Sequence, residues 1–298
     1  MSLPLSLPLS SVTTTTTTRR RFSFSMATAA MSAVFQQFDP AAAAAAPTSP
    51  SPAAVAIRLF EDGKYAESLA AWTRLTEATP SEGLYWSNRG TVELILGSAG
   101  LRLGAAPTGL SEATLLSALR SFERAEALGD VDAIALNNRG NVYNSLLRWT
   151  EAAALYDRAV AAAVKTEYAS VPSENRALVA VQLGDLADAQ RRTEGPVRRD
   201  PNFLDGKALL AAVKFARGDK DGAEATFALL CRPAVSAPNQ FKAPIQGIGG
   251  PDFCDLYSNA DFVRDRWTPA AVAAYDAFLG NRNRNARIAA NTRLRDQG

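Results

Sequence analysis

Apolar and small residues recur along the middle of the chain at helical spacing, in a pattern that returns about every 34 residues. Each copy has a large residue followed by Gly or Ala four positions later and an aromatic or apolar residue three positions after that, which predicts a helix with one buried face. The clearest copies are Trp-Ser-Asn-Arg-Gly at residues 86–90 and Leu-Asn-Asn-Arg-Gly at residues 136–140. Each is followed at helical distance by Ala-x-x-x-aromatic-x-x-Ala, which predicts a second helix.

The alternation of small and large residues predicts two helices that pack closely within each copy. Small residues on both helices would let their axes approach, and bulky residues would fill the remaining gaps. A Pro near the end of a copy would stop the second helix, because Pro lacks an N–H and clashes with the preceding turn. In the best-preserved copy the positions are occupied, in chain order, by Leu136, Gly140, Tyr143, Ala152, Tyr156 and Ala159.

This pattern resembles the tetratricopeptide repeat, and the Asn-Arg-Gly phrase is similar to one found in tetratricopeptide-repeat proteins of cyanobacteria and plastids. The resemblance implies an all-α fold, a right-handed superhelix (an α-α solenoid) of about five helix pairs with a C-terminal capping helix. We divide the solenoid, residues 47–237, into units one to five at residues 49–82, 83–132, 133–166, 170–203 and 204–237.

Unit two is longer than the others. Gly90 and Ala118 are 28 residues apart, whereas the corresponding Gly140 and Ala152 of unit three are 12 apart, so the turn of unit two holds 16 extra residues. The Gly- and Pro-rich insertion falls within residues 97–112, and Ser111 is predicted to cap the helix that follows it.

The two ends of the chain differ in composition from the repeats. Residues 1–46 are rich in Ser and Thr and contain no acid before Asp39, which predicts a cleaved chloroplast targeting segment. Three arginines at 19–21 precede a mildly apolar stretch and resemble a twin-arginine export signal, which favours the thylakoid lumen over the stroma. Residues 238–280 are predicted to be a connector with two helices, one from Ser258 and a capping helix from Pro269 to Leu279, and residues 281–298 a mobile basic tail.

Composition excludes several kinds of function. The sequence contains no His, which removes His-based triads, imidazole metal ligands and a His general base. No other catalytic constellation, cofactor motif or metal site is evident, so we expect no enzyme activity, no cofactor and no metal. The net charge of +2 equals that of the leader alone, which carries three Arg and one Asp. The rest of the chain is therefore near neutral, which argues against the alternative of an organellar RNA-binding protein.

Two further features bear on the compartment and on the membrane. Cys231 and Cys254 lack the spacing of a zinc or redox motif, and they form either two free thiols or one disulfide in an oxidising compartment. No stretch reaches about 18 uninterrupted apolar residues, so no transmembrane span is predicted.

Asparagines on the first helices are the best candidates for partner contact. They occupy the sixth position of three successive units, and in unit three they also recur at i, i+4 and i+7 on one helix face. Their amides offer a donor and an acceptor, so they could pair with any peptide backbone in the concave groove that the resemblance implies; alternatively they serve hydrogen bonds between repeats. The candidates are Asn88, Asn137, Asn138, Asn141, Asn144 and Asn175.

Arginine at the seventh position of units two, three and four departs from the usual Leu. Either the guanidinium of Arg89, Arg139 and Arg176 contacts a partner, or the stem covers the neighbouring helix while the head reaches water or a carboxylate. The second interpretation is favoured because this position faces the packing side.

A chaperone-tail clamp is not expected. Such clamps resemble one another in having basic residues at the second and fifth positions of adjacent first helices, where this chain has Leu84, Ser87, Ile134, Asn137, Val171 and Glu174. The sequence therefore favours a non-catalytic protein-interaction scaffold of the chloroplast, one that assists assembly or maintenance of a photosynthetic or thylakoid complex. The partner itself is not named by any motif.

Overall fold

The computed structural model describes residues 50–163, 167–200, 203–231 and 253–296, with side chains up to residue 289 except that of Glu167. The predicted targeting segment, residues 1–46, and the Gly- and Pro-rich part of the connector lie outside the described residues. The described part contains helices and turns but no β-strand.

Ten of the helices form five antiparallel pairs, and each predicted unit contains one pair. The first helix of each pair packs against its own second helix, and each second helix packs against the first helix of the next pair. The helices are α1 (Pro52–Glu61), α2 (Tyr65–Ala78), α3 (Gly83–Ser98), α4 (Gly109–Ala127), α5 (Ala133–Ser145), α6 (Trp149–Ala162), α7 (Ser170–Gln182), α8 (Leu186–Arg199), α9 (Leu204–Ala216) and α10 (Lys220–Ala228). Two more, α11 (Phe253–Tyr257) and α12 (Pro269–Asp296), follow, and 3-10 turns lie at Glu167–Ala169 and Ala260–Phe262.

Short polar side chains begin several of these helices. Ser51, Asp132, Asp185 and Asp219 each accept the backbone N–H three residues ahead, at distances of 2.6 to 3.2 Å. This bond satisfies one of the N–H groups that a helix leaves unpaired at its start. The sequence thus sets where a helix of units one, three, four and five begins.

The turn inside a pair uses a left-handed residue. Gly63, Gly184 and Gly218 adopt φ of 74°, 83° and 91° in units one, four and five, a conformation that glycine enters without a Cβ clash. In unit three Leu147 takes the corresponding place with φ of 60°. Unit three, the best-preserved copy by sequence, therefore has the least favourable residue in its turn.

Close approach of the two helices within a pair follows the predicted small-large alternation. A Cβ added to Gly140 would lie 2.6 Å from Tyr156 Cε1, and one added to Gly90 would lie 3.1 Å from the Phe122 ring. Tyr156 and Phe122 are buried at 0% and 3% exposure. The glycine of the repeated phrase therefore holds the space into which the aromatic ring of the second helix fits.

Three local expectations differ from the structure. Helix α4 begins at Gly109 with Thr108 as its cap residue, so Ser111 is not the cap; its hydroxyl instead donates to the Gly97 carbonyl at 2.5 Å and ties the insertion to α3. The short helix expected from Ser258 lies earlier, at Phe253–Tyr257. Helix α12 extends through Asp296, where a tail without regular structure was expected from residue 281.

The C-terminal segment, residues 253–279, lies on the face formed by the first helices α1, α3, α5, α7 and α9, which we call the first-helix face. Helix α12 packs mainly against α9 and also contacts α7. Trp267, Tyr275 and Phe278 are buried at 1% exposure or less in one apolar cluster with these helices. The capping helix therefore covers the first-helix face of units four and five, not only the end of the last pair.

Candidate partner-binding face

The candidate asparagines differ in how much of each side chain reaches the surface. Asn88, Asn137 and Asn138 are buried, at 7%, 1% and 5% exposure. The other three, Asn141, Asn144 and Asn175, are half-buried. Only the latter set has surface with which a bound chain could make contact in this conformation.

Helix α5 is joined to its neighbours by these amides. Asn175 Nδ2 donates to Asn137 Oδ1 at 2.9 Å and to Asn141 Oδ1 at 3.3 Å, across the boundary between α7 and α5. The Tyr156 hydroxyl also donates to Asn141 Oδ1, at 2.8 Å. Asn138 Nδ2 donates to Thr91 Oγ1 of α3 at 3.3 Å. Hydrogen bonding between repeats, the alternative left open by the sequence, is thus observed for Asn137, Asn138, Asn141 and Asn175.

Asn144 stands apart from this network. Its Oδ1 is buried and has no hydrogen-bond partner within the described residues. A buried acceptor without a donor costs about 1–3 kcal/mol, so native proteins leave few such atoms unpaired. Asn144 lies one turn beyond Asn141 on the same face of α5, and a rotation of its half-buried side chain toward the surface would let this oxygen accept an N–H of a bound chain.

The seventh-position arginines bind carboxylates. Arg89 Nε lies 3.2 Å from Glu93 Oε1. Arg139 pairs with Glu126 and with Glu123, the latter at 3.1 Å, both on the preceding helix α4. The preferred interpretation placed the head of each arginine on water or a carboxylate, and a carboxylate is confirmed for both residues; Arg139 reaches it on the neighbouring helix, whereas Arg89 pairs within its own helix α3.

Arg176 follows the same rule in unit four. Its guanidinium lies 3.0 Å from Asp157 on α6 and 3.2 Å from Asp188 on α8, and its side chain is 15% exposed. Arg192 joins the same two carboxylates at 2.7 Å each. Burial raises the pKa of Asp188, but these arginines lower it by more, so the pKa of Asp188 lies below its usual value.

A buried charged cluster at the start of α9 was not predicted from the sequence. Asp205, 4% exposed, accepts from the Tyr257 hydroxyl at 2.7 Å and from Arg266 Nη2 at 2.5 Å. Arg266 and Tyr257 lie in the C-terminal segment, 61 and 52 residues further along the chain. No local motif links positions so far apart, so the sequence carried no signal for this cluster.

Glu174 of α7 belongs to the same cluster. Burial raises the pKa of this carboxyl well above its usual value, the charge of Asp205 raises it further, and Arg266 opposes both. Glu174 occupies the fifth position of its unit, one of the clamp positions described above. The first-helix face of units four and five is therefore acidic where a chaperone-tail clamp would be basic.

Backbone and side-chain hydrogen bonds hold the C-terminal segment on this part of the face. Thr268 Oγ1 donates to the Leu178 carbonyl of α7 at 3.0 Å, and the Ala270 N–H donates to Gln182 Oε1 at 3.0 Å. Pro269 lies so close to Gly104 of the insertion that a Cβ on residue 104 would be 2.1 Å from Pro269 Cγ. The chain itself thus occupies the face at units four and five, and the asparagines of α5 lie one unit before it.

Cys231 and Cys254 form a disulfide, which decides between the two alternatives left by the sequence, two free thiols or one disulfide.

Among the described residues no group of three or more His, Cys, Asp or Glu side chains is arranged to hold a metal ion. No described helix is both long enough and apolar enough to cross a membrane.

Comparisons with known proteins agree on the fold. A family model described as the tetratricopeptide repeat matches residues 115–165, which span most of α4 and all of α5 and α6. A sequence search of curated proteins gave no significant match.

Several solved structures are similar to this chain. PilW, a widely conserved type IV pilus biogenesis factor, is 17% identical with a TM-score of 0.51, over 76% of this chain and 90% of PilW. PilF of Pseudomonas aeruginosa is 18% identical with a TM-score of 0.51, over 78% of this chain and 90% of PilF. YrrB, a tetratricopeptide protein with an unusual peptide-binding site, is 16% identical with a TM-score of 0.47, over 68% of this chain and 91% of YrrB. The repeated phrases of the sequence, the five stacked helix pairs and the family match over residues 115–165 together show that this chain is a tetratricopeptide-repeat protein.

Proposed function

We propose that this protein is a non-catalytic scaffold of the chloroplast that binds an extended segment of a partner protein on the first-helix face of units two and three. The tetratricopeptide fold suggests protein–protein interaction, since repeats of this kind expose one continuous face to partners. Assistance to the assembly or maintenance of a photosynthetic or thylakoid complex is the process that we infer from the predicted targeting segment together with this fold.

The observation that carries the proposal is the pair of half-buried asparagines on α5. Asn144 has a buried Oδ1 that accepts from no donor in the described part of the chain, and Asn141 lies one turn away on the same helix face. The Asn141 Oδ1 already accepts two hydrogen bonds, but its amide N–H groups remain able to donate to a backbone carbonyl. Together the two side chains match one donor and one acceptor of an extended peptide.

The remaining asparagines are assigned a supporting role in the same surface. Asn88, Asn137 and Asn138 are buried, and Asn175 joins α7 to α5, so we propose that they set the spacing of the first helices beneath a bound segment. This role explains why a polar residue recurs at the sixth position without requiring each amide to reach the partner.

The test compares partner capture by variants of α5 with a matched control. Asn141→Ala combined with Asn144→Ala should lower the yield of captured protein partners from plastid extracts at least tenfold while far-UV circular dichroism stays unchanged. Asn283→Ala combined with Asn285→Ala, two exposed asparagines of α12, should leave capture unchanged. Equal capture by both double variants would refute the asparagine site.

Nuclease treatment separates this function from RNA binding. Partners held by the first-helix face should survive nuclease, because the contact is between proteins. If every partner is lost after nuclease treatment, the chain acts through RNA and the scaffold proposal fails.

For the compartment we propose the thylakoid lumen. The twin-arginine pattern of the leader and the Cys231–Cys254 disulfide both support an oxidising compartment reached by export. Import of the labelled protein into isolated chloroplasts, followed by protease treatment of intact thylakoids, tests this. Protection of the processed protein is expected, and digestion before the thylakoids are lysed would show that it stays in the stroma.

A further inference from the structure

The disulfide joins the last repeat to the segment that covers units four and five. Cys231 follows α10 and is exposed, whereas Cys254 lies in α11 and packs partly buried against the apolar cluster beneath it. The two residues are 23 positions apart in sequence. The bridge thus joins an exposed residue, which a second protein can approach, to one that packs against the core.

Helix α11 is held by the disulfide, by hydrogen bonds of Tyr257 and by apolar packing. It has five residues, too few to be stable in isolation. Cys254 anchors one end through the disulfide, and Tyr257 anchors the other, where its hydroxyl donates to Asp205 and its carbonyl accepts from the Tyr275 hydroxyl at 2.6 Å. Phe253 and Leu256 also pack, partly buried, against the apolar cluster, and the disulfide adds a covalent attachment to these contacts that keep α11 over the start of α9.

We propose that Cys231–Cys254 is a thiol–disulfide exchange site for a protein dithiol of the thioredoxin class, and that its reduction releases α11 from the first-helix face. The attacking thiolate bonds to the exposed Cys231 sulfur and the bond between the two sulfurs breaks. Cys254 leaves as a thiolate and takes a proton from solvent. The second cysteine of the reductant, as a thiolate, then attacks the reductant's sulfur in the mixed disulfide. Cys231 leaves as a thiolate and takes a proton from solvent, and the reductant is left with a disulfide between its two cysteines.

Reduction changes only one end of the covering segment. Trp267, Tyr275 and Phe278 remain buried against α9 and α10 because their packing does not involve the bridge. The acidic cluster of Asp205 and Glu174 lies beneath α11 and Arg266, so release of α11 uncovers these carboxyl groups together with the part of the apolar cluster that Phe253 and Leu256 cover. This inference does not depend on the proposed asparagine site, since it concerns other units and needs no partner of that site.

Trapping tests the exchange chemistry. The oxidised full chain is mixed with a thioredoxin whose resolving cysteine is replaced by Ser, so that the mixed disulfide persists. Mass spectrometry should find the adduct on Cys231, and the Cys254→Ser variant, which has no bridge to exchange, should form none. An adduct on Cys254, or no adduct when the same thioredoxin traps a control disulfide protein, would overturn the proposal.

Amide hydrogen exchange tests the structural consequence. In the reduced chain and in the Cys231→Ser/Cys254→Ser double variant, exchange across residues 253–262 should rise about 100-fold, the scale expected when a closed loop of this length is opened. Exchange in α5 and α6 should stay unchanged. No rise in residues 253–262, or an equal rise in every helix, would overturn the inference that reduction acts locally on α11.

Discussion

Gly140→Ala tests the close packing of the two helices within a repeat, in which Gly140 of α5 leaves room for the Tyr156 ring of α6. The new Cβ would lie 2.6 Å from Tyr156 Cε1 and 2.8 Å from Cδ1, about 1 Å inside normal contact between carbon atoms. The ring cannot retreat freely, because Tyr156 is fully buried and its hydroxyl is bonded to Asn141. Overpacking of this kind costs about 1–3 kcal/mol.

Helix propensity acts in the opposite direction and has to be separated from the clash. Ala is favoured over Gly in a helix interior by about 1 kcal/mol, so Gly140→Ala should destabilise the chain by about 1 kcal/mol net. Gly280→Ala on α12, where a Cβ would meet no atom of the described residues within 4 Å, should stabilise the chain by up to about 1 kcal/mol. The propensity contribution is common to both variants, so their difference of about 1–3 kcal/mol measures the clash alone.

Urea unfolding followed by far-UV circular dichroism gives both free energies of unfolding by linear extrapolation. Gly90→Ala is an intermediate case, since its Cβ would lie 3.1 Å from the Phe122 ring, and it should fall between the other two. If Gly140→Ala and Gly280→Ala change the free energy of unfolding equally, the Tyr156 ring does not exclude a Cβ at residue 140. Our explanation of the glycine in the repeated phrase would then be wrong.

Three further predictions concern buried or stacked charges, each measured by urea unfolding. Burial raises the pKa of Glu174 in the folded chain, so above the unfolded pKa of about 4.3 the folded state binds more protons than the unfolded state, and the free energy of unfolding falls as the pH rises from there toward the folded pKa. Glu174→Gln should remove this fall, and a variant with the same pH dependence as the wild type from about pH 5 to 8 would contradict the prediction. Glu93→Ala should cost about 2–4 kcal/mol, because the buried carboxylate accepts from two serine hydroxyls of α4 at 2.7 and 2.8 Å; a loss below about 1 kcal/mol would show that those hydroxyls find other partners. Arg282→Ala should cost about 1 kcal/mol, since the guanidinium lies 3.9 Å from the Phe227 ring centroid, while Arg284→Ala, an exposed neighbour, should cost nothing measurable.

The repeats were predictable because their signals are local. Small and large residues at helical spacing predict both helices of a pair; the caps Asp132 and Asp185 also lie next to their helices in sequence, although the one cap predicted, Ser111, was wrong. Arg139 and Arg176 were interpreted correctly for the same reason, since position within a unit fixes the side of the helix that faces α4 or α6.

The sequence could not give the contacts that join distant parts of the chain. Tyr257 and Arg266 contact Asp205 only because the C-terminal segment turns back over α7 and α9. A repeat pattern predicts contacts between neighbouring repeats and cannot predict this one. The environment of the candidate asparagines was predictable only in part. Spacing identified which amides share the α5 face, but the burial of Asn137 beside the half-exposed Asn141 depends on how closely α7 approaches.

The return of the C-terminal segment also alters how this solenoid should fold. In a simple repeat array each repeat contacts only its neighbours, so folding can start anywhere and spread, and the ends fray first. Here Thr268 bonds to Leu178, 90 residues away, and Pro269 rests on Gly104 of unit two. These long-range contacts raise the contact order and tie the end of the chain to its middle. Unfolding should therefore be more nearly all-or-none than in an open array, and removal of residues 253–298 should loosen units two and four as well as unit five.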